Sequence, residues 1–258
     1  MIDKTVGFIG GGRITRILLG GLTRAGKMPR NIVVADTSAE ALNRLRSQFT
    51  HITLVESGRQ AAEQDIVFLA LHPPAIPDAL NDIKGSLKTN AILISLAPKP
   101  PIVKLSEMLG GFQRIARLLP GAPSIVNKGY NPVVFSPSLS KNEKEELMSF
   151  FGLFGESFEV SEEAIAAYAV CITGGPNYFW FQLFELMELG KSFGLSTQEM
   201  ERGIAGTVQG ALATMFNAGL SAEEVMDLIP MKPFAEEEAR IKNVYRTKIE
   251  DLYHKLKS

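Results

Sequence analysis

Three consecutive glycines near the start of the chain constrain its fold more than any other feature. They stand in the stretch VGFIGGGRITRILL, residues 6–19, between a short apolar run and a segment whose apolar residues recur at helical spacing. Ordering adjacent glycines costs more backbone entropy than ordering other residues, so the turn must need their conformational freedom. A strand, a glycine-rich turn and a helix in this order are typical of the phosphate-binding corner of a dinucleotide-binding domain.

The positions of the glycines match the separate tasks of such a corner. Gly10 would form the tight turn, and Gly12 would let the backbone approach a pyrophosphate. The N-terminus of the following helix would offer unpaired N–H groups and the positive end of its dipole. The third position of the pattern normally holds glycine or alanine and is Thr15 here. A turn that binds nothing is the alternative interpretation, and the βα units that follow favour the dinucleotide site.

Three further runs predict strands separated by helical patterns, at residues 31–35 (NIVVA), 66–71 (IVFLAL) and 91–96 (AILISL). The last two are apolar throughout, which is typical of strands covered on both faces and hence of a parallel sheet between two layers of helices. Short connections between alternating strands and helices indicate a doubly wound fold. We therefore predict an α/β protein in which residues 1–160 form a Rossmann-type dinucleotide-binding domain.

Residues 161–258 carry helix signals and no convincing strand. Residues 196–199 and 221–224 have the capping-box pattern, and apolar residues form a stripe along the last predicted helix, residues 241–256. Together with the apolar helix around residues 178–184, this stripe exceeds what a domain of this size needs to bury. We predict an all-α substrate and dimerisation domain that forms a two-fold symmetric homodimer. The alternative is that the last helix folds back on its own subunit.

Composition excludes several classes of function. The formal charge of −1, from 27 basic and 28 acidic residues, offers no basic excess for nucleic acid. A single cysteine, Cys171, excludes an internal disulfide framework and fits a reducing compartment. The longest apolar stretch, near residues 171–189, is broken by polar residues, and no signal-peptide pattern precedes it. We expect a cytoplasmic protein that contacts no membrane.

An acidic residue at the end of the second predicted strand bears on the choice of coenzyme. Asp36 stands where a carboxylate accepts hydrogen bonds from an adenosine ribose and repels a 2′-phosphate, and Thr37 rather than an arginine follows it. The alternative is a solvated aspartate that benefits from the adjacent helix N-terminus. The first interpretation predicts that NADH binds at least as well as NADPH.

The remaining ionisable residues give no catalytic set. None of the three histidines has a metal-ligand spacing with another histidine, a cysteine or a carboxylate, so we expect no metal site. No Ser–His–acid set or Walker A pattern is present, which leaves acyl and phosphoryl transfer without support. His72 differs from the other histidines because it follows a buried strand, where residues line the ligand crevice of a parallel sheet.

Several segments resemble the pyrroline-5-carboxylate reductases, which reduce a cyclic imine to proline with a nicotinamide coenzyme. Residues 6–22 match their opening G-F-I-G-x-G-N-M-x-x-A-L, and DIVFLALHPP resembles their D-x-x-x-L-A-V-K-P. ILISLA is similar to V-S-I-A-A-G, and RLLPGAPSIVNKG to R-x-M-P-N-T-P-x-x-V-x-x-G. TGGPNYFWF resembles S-G-S-G-P-A-Y-V-F at the start of a long helix.

The resemblance implies a set of ligand contacts. It implies NAD(P)H as the coenzyme, and we add Asp36 and Thr37 from their position after the second strand. The predicted coenzyme contacts are Gly10, Gly12, Arg13, Ile14, Asp36, Thr37, Leu71, His72, Pro73 and Ala97. The predicted substrate contacts are Thr173, Gly175 and Asn177 in the TGGPN segment. Lys232 is a fourth predicted contact, because it is the one residue of the 227–234 segment that could attract an anion. No residue is assigned a catalytic role.

Departures from the family pattern concentrate on the substrate side. The family's asparagine in P-N-T-P is Gly121, and its lysine before proline is His72. The S-P-G-G-T-T loop, which holds the substrate carboxylate in the family, is replaced by DLIPMKPF, residues 227–234. The motifs expected to contact the coenzyme are therefore kept, while the loop expected to bind the substrate carboxylate is replaced.

Three functions are compatible with these patterns. The first is hydride transfer from NAD(P)H to a cyclic imine, which needs alignment more than acid–base groups. The second is a β-hydroxyacid dehydrogenase, which needs a lysine about one turn into the long helix, whereas the first lysine there is the distant Lys191. The third is a dinucleotide-binding homodimer without catalysis, a sensor or scaffold, to which the loss of the carboxylate loop points.

Overall fold

A computed structural model describes residues 4–257 and contains one eight-stranded sheet. Its order is β3-β2-β1-β4-β5-β6-β7-β8, and every neighbouring pair is parallel except β6 with β7. The strands are β1 (Val6–Ile9), β2 (Ile32–Ala35), β3 (Thr53–Val55), β4 (Ile66–Leu69), β5 (Ile92–Ser95), β6 (Ile115–Leu118), β7 (Gly129–Phe135) and β8 (Gly155–Glu159). The predicted doubly wound α/β class is thereby confirmed.

The strand order creates a crevice at the centre of the sheet. β1 pairs with β2 on one side, with Val6 opposite Ile32, and with β4 on the other, with Val6 opposite Ile66. After β1 the chain forms β2 and β3 on one side of it. The chain then crosses to the other side of β1, where it forms β4 and the remaining strands. Connections therefore diverge at the carboxyl end of β1, which is where ligands bind in open parallel sheets.

Both faces of the central strands are buried, as the apolar runs predicted. One core cluster lies on the face that includes Phe8 and Phe68, whose rings stack with centroids 4.7 Å apart. A second cluster lies on the opposite face and includes Ile9, Val67 and Leu93. Alternate residues of one strand thus serve different cores, because successive side chains of a strand point to opposite faces.

Eleven α-helices surround or follow the sheet within the described residues. They are α1 (Arg13–Ala25), α2 (Ala39–Gln48), α3 (Gly58–Ala62), α4 (Ile76–Ile83), α5 (Ile102–Met108), α6 (Lys141–Phe151), α7 (Ile165–Tyr168), α8 (Pro176–Ser192), α9 (Thr197–Asn217), α10 (Ala222–Asp227) and α11 (Glu238–Lys257). The capping boxes predicted at residues 196–199 and 221–224 are both formed, at the starts of α9 and α10. From residue 4 to residue 257, no helix has both the length and the apolar character needed to cross a bilayer.

Asp65 forms hydrogen bonds that connect the starts of β1 and β4. Its carboxylate accepts hydrogen bonds from the Thr5 N–H at 2.9 Å and from the Lys88 ammonium at 2.7 Å. The Lys88 bond, followed by the bond from the Thr5 N–H, lowers the pKa of Asp65 to about 2. Since Thr5 precedes β1 and Asp65 precedes β4, this charged contact aligns the starts of both strands.

The described chain divides into two compact units. One comprises residues 4–174 with 253–257 and holds the whole sheet, and the other comprises residues 175–252 and is helical. In the helical unit, α9 and α10 bury no side chain, and Phe181 and Phe184 on α8 are 68% and 64% exposed. This unit has little apolar core of its own. The assignment of residues 1–160 and 161–258 to separate functional domains stays a prediction.

Candidate functional site

Only glycine fits at the first position of the turn after β1. Gly10 has φ of +104°, and a Cβ atom placed on it would lie 2.4 Å from the Ala70 carbonyl oxygen. Its N–H donates to the Ala35 carbonyl at 2.8 Å. The turn therefore lies between the carboxyl ends of β2 and β4. A side chain at residue 10 would clash with the backbone that follows β4 and displace the turn.

Gly12 faces open space instead. It is the N-cap of α1 with φ of −75°, and a Cβ atom placed on it would have no neighbour within 4 Å. No side chain caps this helix, and no acidic residue lies in its first turn, where Arg13 and Ile14 stand. The N–H groups of the first turn, which have no partner within a helix, thus adjoin a space that an anion can enter.

Thr15 accounts for the departure from the usual third glycine. Its side chain is fully buried, and its hydroxyl donates to the Gly10 carbonyl at 2.5 Å. A threonine at this position therefore bonds the turn to the helix that follows it. The sequence pattern marked Thr15 only as an exception and did not predict this hydrogen bond.

Asp36 braces the same turn from the end of β2. Its carboxylate accepts the Gly11 N–H at 2.6 Å and the Ser38 N–H at 2.8 Å. The side chain is half-buried, and it connects the glycine turn with the start of α2. This bracing role was not foreseen, because Gly11 and Asp36 are 25 positions apart. An ionised carboxylate has about four acceptor sites, so it can still accept from a ribose hydroxyl.

A cleft of about 330 Å³ opens beside the turn, between the ends of β1, β2 and β3 and the helix α4. It brings together four of the ten predicted coenzyme contacts, namely Gly10, Asp36, Thr37 and Leu71. Glu56, Asp78 and Asp82 also line it, and the sequence patterns did not single out any of the three. Gly12, Arg13 and Ile14 lie on the α1 side of the turn.

A second cavity, of about 640 Å³, lies at the carboxyl ends of β4 and β5. Pro73 and Pro98 line it, so it adjoins the segments that hold the predicted contacts His72 and Ala97. Arg117 forms its buried wall. The predicted coenzyme contacts therefore lie around the crevice, from Asp36 after β2 to Ala97 after β5.

Arg117 organises the segment that carries Ala97. The guanidinium is 2% exposed, pairs with Glu162 at 2.5 Å, and donates to the Pro98 carbonyl at 2.6 Å. Glu162 also accepts the Ile102 N–H at 2.9 Å, at the start of α5. Burial lowers the pKa of Arg117, and the bond to Glu162 offsets only part of that lowering. The arginine of RLLPG thus positions the β5–α5 connection.

The RLLPG segment lies beside Thr173, the first residue of TGGPN, within the sheet-containing unit. A Cβ atom placed on Gly121 would lie 3.7 Å from the Cα and carbonyl oxygen of Thr173. Thr173 ends a π-helical turn, Ala169–Thr173, and its hydroxyl donates to the Ala169 carbonyl at 3.2 Å. Gly121 and Thr173, from two of the segments that carry the family resemblance, are therefore neighbours.

Lys232 pairs with one carboxylate in the helical unit. Its ammonium lies 3.6 Å from Asp227, and the two residues line a cleft together with Glu223, Glu224, Glu238 and Lys242. Gly175 is the N-cap of α8 and Asn177 lies in its first turn. No hydrogen bond or ion pair of the described residues connects Lys232 with Asn177. Within the same residues, no group of three histidine, cysteine or acidic side chains is placed to hold a metal ion.

Comparisons with known proteins agree with this geometry. The family model described as "NADP oxidoreductase coenzyme F420-dependent" matches residues 5–99. The pyrroline-5-carboxylate reductase of Corynebacterium melassecola is 27% identical over 224 residues, 86% of this chain and 83% of the relative. That of Escherichia coli K12 is 27% identical over 231 residues, 88% of this chain and 85% of the relative.

Solved structures show the same fold over nearly the whole chain. The Coxiella burnetii pyrroline-5-carboxylate reductase, 26% identical, covers 98% of this chain and 94% of its own with a TM-score of 0.69. The Plasmodium falciparum pyrroline carboxylate reductase, solved with NADP bound, is 22% identical with a TM-score of 0.84 and covers 100% of this chain and 98% of its own.

Proposed function

This chain belongs to the pyrroline-5-carboxylate reductase family, and from that premise we propose that it reduces the C=N bond of a cyclic imine with NAD(P)H. The observation that supports the proposal most directly is the turn after β1. Gly12 faces open space at an uncapped helix N-terminus, which is the form of a pyrophosphate site. The matches to the reductases extend well beyond this corner, over more than four-fifths of the chain.

The residues present fit a nicotinamide dinucleotide. Gly12 and the first turn of α1 would hold the pyrophosphate, and Asp36 would accept a ribose hydroxyl. His72, Pro73 and Ala97 would contact the nicotinamide half from the ends of β4 and β5. The coenzyme, when bound, supplies the hydride.

The protein's own contribution is then alignment and exclusion of water. Thr173, beside Gly121, would face the reacting end of the crevice. Reduction of an imine that arrives protonated needs no general base, because the hydride neutralises the iminium carbon directly. This chemistry fits a chain in which we assign no catalytic acid or base.

The substrate differs, we propose, from pyrroline-5-carboxylate. Pro230 and Pro233 have no N–H to donate, and Lys232 already pairs with Asp227. Each charged hydrogen bond missing from a binding site is worth about 1.5–3 kcal/mol. The site would favour larger or less acidic cyclic imines.

Steady-state kinetics with pyrroline-5-carboxylate and a panel of carboxylate-free cyclic imines tests both statements. We expect reduction of at least one panel member, and a kcat/KM for pyrroline-5-carboxylate below about 10⁴ M⁻¹s⁻¹. A value of about 10⁴–10⁸ M⁻¹s⁻¹ on pyrroline-5-carboxylate would show that the substrate is unchanged. A failure to reduce any imine, with coenzyme binding intact, would favour the non-catalytic dinucleotide-binding homodimer.

A cytoplasmic homodimer is the assembly we propose. Tyr245 of α11 does contact α8, because its hydroxyl donates to the Tyr178 carbonyl at 3.2 Å. Even so, Phe181 and Phe184 stay exposed, as do half of the Val244 side chain and much of the remaining α11 stripe. Exposed apolar surface on this scale is typical of an interface. The single cysteine fits a reducing compartment.

Light scattering at micromolar concentration should give twice the 28.2 kDa mass of one chain. Phe184→Asp should shift the protein toward the monomer, because it places a charge in the proposed apolar interface. Glu201→Gln, an exposed change on α9, serves as the control. A strictly monomeric wild-type protein would contradict the proposal.

A further inference from the structure

We propose that this chain selects NADH against NADPH, and that Glu56 and Asp78 enforce the selection together with Asp36. The inference rests on the proposed function in one respect, namely that the 330 Å³ cleft holds the adenosine end of the coenzyme. It sets the chain apart from the Plasmodium falciparum relative, whose structure holds NADP.

The charge of the cleft carries the inference. Four carboxylates line it, from Asp36, Glu56, Asp78 and Asp82, and none of the fourteen lining residues is a lysine, an arginine or a histidine. Asp82 pairs with Arg59, whose guanidinium lies 2.7 Å from it and outside the lining. Across residues 4–257, no ion pair involves Glu56 or Asp78. Glu56 and Asp78 therefore add two negative charges to the wall that no ion pair of the described residues offsets.

The two coenzymes differ at one group that such a wall distinguishes. The ribose 2′-hydroxyl of NADH is a hydrogen-bond donor that a carboxylate accepts. The 2′-phosphate of NADPH carries about −1.5 to −2 charges at pH 7, so each carboxylate repels it. Dinucleotide-binding domains that take NADPH place an arginine near this phosphate. Here the neighbouring side chain is that of Thr37, which has no charge.

Asp36 by itself is a poor place to test selectivity. Because it accepts the N–H groups of Gly11 and Ser38, its removal would loosen the glycine turn and weaken both coenzymes. Glu56 and Asp78 are exposed, and they lie on separate elements, after β3 and in the first turn of α4. Neutralising them changes the charge of the cleft while leaving the turn in place. Selectivity thus depends on three segments of the chain.

Calorimetric titration of the full chain with NADH and NADPH tests the proposal without using any imine. We expect NADPH to bind at least about tenfold more weakly than NADH at low ionic strength. Raising the ionic strength from about 0.01 M to about 1 M shortens the Debye length from about 30 Å to about 3 Å, so the ratio should fall. The variant Glu56→Gln/Asp78→Asn should reduce the ratio about threefold or more, because NADPH meets less repulsion in the cleft.

Glu63→Gln is the matched control, since Glu63 is an exposed acid close by in sequence that does not line the cleft. It should leave the ratio unaltered. NADPH binding as tight as that of NADH overturns this inference alone and leaves the proposed function standing. A ratio that neither salt nor the double variant changes also overturns it. Failure of both coenzymes to bind overturns the proposed function together with this inference.

Discussion

The Gly12→Ala variant should keep nearly the stability of the wild-type protein and lose dinucleotide affinity about a hundredfold. Gly12 has φ of −75°, which alanine adopts freely, and its Cβ atom would have no neighbour within 4 Å. The change at the N-cap should therefore cost within about 1 kcal/mol of unfolding free energy. In the liganded protein the same methyl group would stand where the pyrophosphate approaches. Losing one or two charged hydrogen bonds of about 1.5–3 kcal/mol each gives the expected loss of affinity.

Urea unfolding of the free protein and calorimetric titration with NADH measure the two effects separately. Gly10→Ala is the informative comparison, because its Cβ atom would collide with the Ala70 carbonyl in the free protein and its φ is +104°. That variant should lose at least about 2 kcal/mol of stability as well as affinity. If Gly12→Ala binds NADH as tightly as the wild-type protein does, the pyrophosphate does not bind at this turn.

The second large effect is expected at the Arg117–Glu162 pair. Glu162→Gln removes the counter-charge of a guanidinium that is 2% exposed, while the glutamate side chain itself is 30% exposed. Leaving a buried charge unpaired costs about 3–5 kcal/mol at full burial. Residue 162 is partly exposed to solvent, and the amide oxygen of the glutamine can still accept a hydrogen bond from Arg117. We therefore expect a loss of about 2–3 kcal/mol of unfolding free energy. Since Arg117 also holds the Pro98 carbonyl, coenzyme affinity should fall as well.

Urea unfolding midpoints of three variants distinguish the contribution of the charge pair to stability from that of side-chain packing. Glu163→Gln, the exposed neighbour, should leave the midpoint where the wild-type protein has it. Arg117→Met/Glu162→Gln should recover part of the loss, because it removes the unpaired cation and fills the space with an apolar chain. A Glu162→Gln midpoint equal to that of Glu163→Gln would show that the pair does not stabilise the fold.

Prediction from sequence succeeded where the structure follows from neighbouring residues. The strands at residues 31–35, 66–71 and 91–96 were located to within two residues of β2, β4 and β5, since a continuous apolar run specifies burial on both faces. The capping boxes of α9 and α10 formed as predicted because their bonds span three residues. The predicted contacts of the coenzyme and of the substrate themselves stay predictions.

Long-range contacts decided the rest. By itself the sequence determined the glycine turn, the alternation of strands and helices and the resemblance to the pyrroline-5-carboxylate reductases, because these depend on local pattern. Only the tertiary structure joined Asp36 to Gly11 and Arg117 to Glu162, and only it placed Glu56 and Asp78 in one acidic cleft. No local propensity encodes such contacts, since parallel strands separated by whole helices bring distant side chains to one end of the sheet.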